Sequence, residues 1–127
     1  MAAYASADAA QLEKLQRLAE VMLGIFARGS IKPSYARLAS FMHEKLLEKF
    51  TDREYGAFRT QVEERFGSMG ERKFAGYERY DQGDRLIYLA GFTKERIVVI
   101  SFGFTKDGRM TDFLLNPYQG PIKENKR

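Results

Sequence analysis

The chain has 127 residues, 44% hydrophobic and 30% charged, enough length and apolar content for one folded core rather than a disordered polymer. It has no cysteine and one histidine, His43, which excludes a disulfide framework, a thiolate nucleophile, a cysteine-ligated metal and a multi-histidine zinc site, so no metal or other cofactor is expected. The net charge is +4, half of it in residues 117–127 rather than on one element, which argues against a nucleic-acid-binding face, and no apolar run approaches the roughly 20 residues of a membrane span.

Residues 1–10 open with Ala2-Ala3-Tyr4-Ala5-Ser6-Ala7. One reading is a disordered alanine-rich lead-in. The other is the remnant of an export signal, because small residues of this kind precede a signal-peptidase cut; that reading makes the protein exported or periplasmic in a bacterium. Asp8 then caps a helix whose Leu12, Leu15, Leu18, Ala19, Met22, Ile25 and Phe26 recur at three- and four-residue steps, with Gly29 as its stop. Pro33 breaks the chain and Ser34 caps a second helix, which carries Leu38, Phe41, Met42, Leu46, Leu47 and Phe50, with room for a bend. Thr51-Asp52-Arg53-Glu54 is a capping box opening a third helix with Tyr55, Phe58, Val62 and Phe66 on one side, ended by Gly67.

After a loop at Gly67-Ser68-Met69-Gly70 the apolar period changes from 3.6 to 2. Strands are expected at Phe74–Tyr80, Leu86–Thr93, Ile97–Thr105 and Met110–Leu115, and Asn116-Pro117 stops the last. Asp107-Gly108 reads as a two-residue hairpin turn with both central positions at positive φ. That turn pairs Thr105 with Met110, Phe104 with Thr111, Phe102 with Phe113 and Ile100 with Leu115. Val98, Ile100, Phe102, Phe104, Phe113 and Leu115 then form the core face. Ile97, Val99, Ser101, Gly103, Thr105, Met110, Asp112, Leu114 and Asn116 form the opposite face, whose apolar Ile97, Val99 and Leu114 suit a partner. The organisation is thus one α+β domain over residues 11–117, three N-terminal helices packed on a four-stranded antiparallel meander, followed by a polar tail at 118–127.

Several stretches carry a family resemblance: Phe50-Thr51-Asp52-Arg53-Glu54, Phe66-Gly67, Ile97-Val98-Val99-Ile100-Ser101-Phe102, Thr105-Lys106-Asp107-Gly108-Arg109-Met110 and Phe113-Leu114-Leu115-Asn116-Pro117. With the order of helices and strands, they resemble the cone-shaped fold of the nuclear transport factor two and ketosteroid isomerase superfamily. More narrowly, they resemble a bacterial family of short domains within it that occur alone, often exported, or appended to enzymes such as α/β-hydrolases. These are capping, turn and core residues, so the resemblance bears on fold more than on function. The extra hairpin of longer members has no room here.

Two residues could carry chemistry. His43 lies in the second helical stripe, and its neighbour Glu44 points about 100° away on a helix, so it reads as a structural histidine. Asp112 is an acid in mid-strand. Isomerases of the superfamily use an acid and a tyrosine between helices and sheet, but the register turns Asp112 outward, toward an ion pair with a cross-strand base. Tyr35, Tyr55, Tyr77, Tyr80 and Tyr88 have core spacing, and any pocket is expected to be walled by Tyr55, Phe58, Phe102 and Phe113. Ser101-Phe102-Gly103-Phe104 resembles an RNA-recognition strand, but the preceding basic-glycine pair is missing and the element order is wrong. The expected function is therefore a non-enzymatic domain that binds a small apolar ligand or a protein partner and dimerises through Ile97, Val99 and Leu114. The alternative is a small isomerase, dehydratase or hydrolase using a pocket carboxylate and a tyrosine.

Overall fold

The computed structural model describes residues 2–29 and 31–118, with side chains from residue 9 onward. The expected polar tail lies outside the described residues beyond Tyr118. Four helices precede four strands: α1 (Ala2–Leu23), α2 (Tyr35–Ala39), α3 (Glu44–Lys49), α4 (Asp52–Arg65), then β1 (Met69–Arg79), β2 (Gly83–Phe92), β3 (Val98–Thr105) and β4 (Met110–Pro117). The strands form one open antiparallel sheet in the order β1-β2-β3-β4.

α1 begins at Ala2, so the helix is already running through residues expected as a lead-in, and Asp8 does not cap it. Its apolar stripe lands where the spacing puts it: Leu15, Ala19, Met22 and Leu23 are all fully buried. The α-helix ends at Leu23. Ile25 and Phe26, expected within it, follow in a tightened turn in which their amides donate to the carbonyls three residues back. Both are still buried.

The expected second helix is two helices, which makes four in place of three. Ser34 caps α2, its Oγ accepting from Arg37 N–H at 3.2 Å. Phe41, Met42 and His43 then leave the helix to meet the start of β4. Met110 N–H donates to Phe41 O and His43 N–H donates to Met110 O, both at 2.8 Å. α3 restarts from His43. α4 opens as expected at Thr51, whose Oγ1 accepts from Glu54 N–H at 3.4 Å.

The hairpin register needs one correction. Gly108 is at φ 90 and Asp107 is not at positive φ, so the loop is not the expected two-residue turn. Three residues, Lys106 to Gly108, connect the strands: Gly108 N–H donates to Thr105 O and Thr105 N–H to Arg109 O. Met110 therefore pairs with Phe104. One extra residue, Thr111, restores the expected pairing of Phe102 with Phe113 and Ile100 with Leu115. The consequence is confined to the bulge: Thr111, which the expected pairing sets opposite Phe104, has its Oγ1 3.0 Å from where a Gly103 Cβ would stand, beside Asp112 on the open face. Met110, expected on the open face, is fully buried in the core.

The core lies between the helices and one sheet face. Leu86, Tyr88, Ala90 and Phe92 of β2 and Val98, Ile100, Phe102 and Phe104 of β3 supply the sheet side. α4 is docked through Gly67, at φ 85, where a Cβ would meet Thr93 Oγ1 at 1.8 Å. That hydroxyl accepts from Ser68 N–H, and Thr93 N–H donates to Ser68 O. Gly67→Ala should lose about 2–3 kcal/mol from the strained φ and the displaced threonine. Gly56→Ala, in open space within α4, should gain about 0.5–1 kcal/mol. Urea midpoints of the two variants, moving in opposite directions, check both.

Candidate functional site

The expected pocket residues divide into two groups. Tyr55, Phe58 and Phe113 are brought together with Phe50: Phe113 lies 5.0 Å from Phe50 and 5.1 Å from Phe58, and Phe50 and Tyr55 are 6.1 Å apart, ring centre to ring centre. Phe102 stands apart, fully buried against Tyr88 at 6.0 Å. The tyrosine hydroxyls of the cluster are used internally. Tyr55 donates to Pro33 O at 2.6 Å and Tyr35 to Phe50 O at 2.7 Å. The cluster thereby ties α2, α3 and α4 to β4.

His43 is the N-cap of α3 rather than a residue of a helical stripe. Its Nδ1 accepts from Lys45 N–H at 3.1 Å. One ring nitrogen is committed to capping the first turn of α3, which supports the structural reading.

Asp112 faces the open side of the sheet. Arg85 of β2 reaches across β3 and holds it at two points, Nη1 to Oδ1 at 3.2 Å and Nη2 to Oδ2 at 3.1 Å, and Nη1 also donates to Ser101 Oγ at 3.2 Å. This is the cross-strand ion pair expected for Asp112. Gly103 lies under the pair, opposite both Arg85 and Asp112. A Cβ there would stand 2.9 Å from Asp112 Oδ1 and 3.0 Å from Arg85 Nη2, so the salt bridge needs the missing side chain. Next to it, Ile87 and Leu114 flank Ser101 across the strands, and Leu89 pairs with Val99. Leu114 and Ile97 are among the exposed large hydrophobics. Phe102 and Phe104 are buried on the other face, so neither offers a ring for base stacking.

Asp84 falls between the expected strands Phe74–Tyr80 and Leu86–Thr93 and is not among the candidates the sequence offers. Its side chain is fully buried, and it accepts from Gln11 Nε2 at 3.1 Å, Arg79 Nε at 3.4 Å and Lys106 Nζ at 3.4 Å. It joins α1 to both hairpin ends. The signal available was phase: Asp84 is in step with Leu86, Tyr88, Ala90 and Phe92.

The second missed place is a cleft of about 450 Å³ where α1 crosses β1 and β2. Gln16 and Glu20 of α1, Glu71, Arg72 and Phe74 of β1 and Tyr88 of β2 line it. Arg72 grips Glu20 at two points, Nη2 to Oε1 and Nε to Oε2. Tyr88 is 3% exposed. Burial, and secondarily the Glu20 carboxylate, push its phenol up to about 12, against the opposing charge of Arg72. Among the described residues this cleft is where carboxylates and a buried tyrosine line one cavity. No group of histidine, aspartate and glutamate among them could hold a metal ion, and no helix among them is long and apolar enough to cross a membrane.

Asp84→Ala should cost roughly 1.5–3 kcal/mol, the range for hydrogen bonds to a charged group, read as a lowered urea midpoint. Tyr88 gives a pH signature. The folded phenol keeps its proton to about 12, whereas an ordinary tyrosine releases it near 10.0. Between those values the unfolded chain binds fewer protons than the folded one, so stability falls as pH rises. Denaturation across this window should show the fall, and Tyr88→Phe should flatten it; an unchanged slope would contradict the assignment. Comparison with known proteins finds no matching family model, no matching curated protein and no matching solved structure.

Proposed function

We propose that this chain is a non-enzymatic interaction domain that pairs with a second copy of itself through the open face of the sheet. The observation that carries the reading is the makeup of that face. Ile87, Leu89, Val99 and Leu114 lie in adjoining cross-strand rows, with Ile97 beside them. The charge embedded in the patch is cancelled within one protomer by Arg85 and Asp112. A two-fold interface sets the same patch against itself. An unbalanced charge near the axis would meet its own copy; with Arg85 and Asp112 cancelled, the apolar rows meet apolar surface, and the remaining charges, Lys73 beside Leu89 and Arg96 beside Ile97, stand at the β1 margin of the patch. The pair itself is half-exposed and adds at most about 1 kcal/mol to the monomer, so neutralising the face is its larger effect.

Four helices followed by a four-stranded meander are compatible with the cone-shaped class of nuclear transport factor two, and we place the domain there. Against the catalytic alternative, Asp112 is engaged on the face away from the helices and His43 is a helix cap.

Sedimentation at micromolar concentration should show a dimer. Val99→Glu places a carboxylate in the apolar rows and should give a monomer with an unchanged thermal transition at low concentration. A monomer for the unmutated protein would sink the proposal.

A further inference from the structure

The cleft between α1 and β1–β2 has a floor and a rim of different chemistry. At the floor, Tyr88 is 3% exposed, yet its hydroxyl opens into the cleft and has no hydrogen-bond partner among the described residues. The ring is enclosed while the hydroxyl is left to water in the cleft, where a ligand's acceptor atom can replace that water. Beside it, Phe74 meets the Tyr88 ring edge to face at 5.4 Å and forms an apolar wall. At the rim stand two carboxylates and one guanidinium. Arg72 is engaged by Glu20. Glu71 has no ion-pair partner among the described residues and leaves the rim with one net negative charge.

These features select a ligand by charge and by polarity. The floor donates, because the phenol holds its proton throughout the physiological range. The rim attracts a cation. An anion entering would meet Glu20 and Glu71, and a neutral molecule would leave Glu71 unused. We infer that the cleft is a binding site for a small organic amine carrying an acceptor oxygen, with the oxygen taking the Tyr88 hydroxyl proton as a hydrogen bond and the ammonium group lying beside Glu71 against the Phe74 ring. A cation over an aromatic face adds to this attraction. The site is on the helix side of the sheet and is independent of pairing through the open face.

The test is a titration of the full chain followed by amide resonances, with three probes of similar size. Glycinamide carries an ammonium group and a carbonyl, acetamide the carbonyl alone, and acetate a negative charge. Glycinamide should give saturable shifts confined to residues 70–74 and 88 with their α1 neighbours, acetamide weaker ones, and acetate none. Tyr88→Phe, which keeps the ring, should weaken glycinamide about fivefold, the worth of one neutral hydrogen bond. Glu71→Gln, at the exposed rim, should remove the advantage of glycinamide over acetamide. Absence of a saturable glycinamide shift would overturn the inference. So would equal binding of acetate, or affinity for glycinamide unchanged in both variants. Should Tyr88→Phe fail to fold, the Glu71→Gln comparison decides alone.

Discussion

The backbone clamp on Met110 organises the helical layer and the last strand together. Met110 gives its N–H to Phe41 and its carbonyl to His43, so both of its main-chain groups point away from β3. β4 is an edge strand, and an edge left open is a template for unwanted pairing; Phe41 to His43 cover its start. The cost falls on the helices. Residues bonded to a strand cannot also be helical, so the long apolar stripe after Pro33 splits into α2 and α3. The restart leaves fresh amides, and the one imidazole in the chain is used to cap them. A single contact thus accounts for the helix count, the burial of Met110 and the fate of His43.

What the sequence made legible was whatever local chemistry decides. Ser34 and Thr51 cap the helices they were expected to cap, and four strands pair in meander order with Phe102 opposite Phe113. Where several segments had to agree, the reading slipped. The Asp107-Gly108 pair fits both a two-residue and a three-residue hairpin, and only the bonding of Met110 to the helical layer selects the longer one. Thr111 as the extra residue then hides the change, because every pair beyond it is the same in both registers. Asp112 came out on the expected face for this reason.

β1 was the least legible element. It was expected from Phe74, and it begins at Met69. Glu71, Arg72 and Lys73 stand between the expected loop at Gly67–Gly70 and the expected strand start, and they are charged. At a sheet edge with one side wet, charged residues are tolerated and even protective. Two irregularities, between Met69 and Arg72 and between Phe74 and Gly76, also destroy the period of two on which strand recognition rests. Asp84 and Tyr88 fell into the opposite trap. Both lie in phase with apolar neighbours on β2, and phase alone does not separate a packed ring from one whose hydroxyl meets a cleft.

The two faces of the sheet follow from that asymmetry. Beyond the Thr111 bulge, β2, β3 and β4 pair without interruption and present aligned apolar rows to the open side, and an acid placed there had to be neutralised across Gly103 to sit among them. On the helix side, these strands pack tightly against α1 and α4. β1, bulged twice, packs only in part: Met69 is buried in the core, while the residues that follow it open a gap. The residues of β1 that line the cleft, from Gly70 to Phe74, are those between and beside its two bulges, where a strand bends and its side chains are re-aimed. That bend brings Arg72 within reach of Glu20 on α1 and leaves the Tyr88 hydroxyl facing a cavity rather than a neighbour. The irregularity that concealed β1 as a strand is therefore the same feature that builds the cleft.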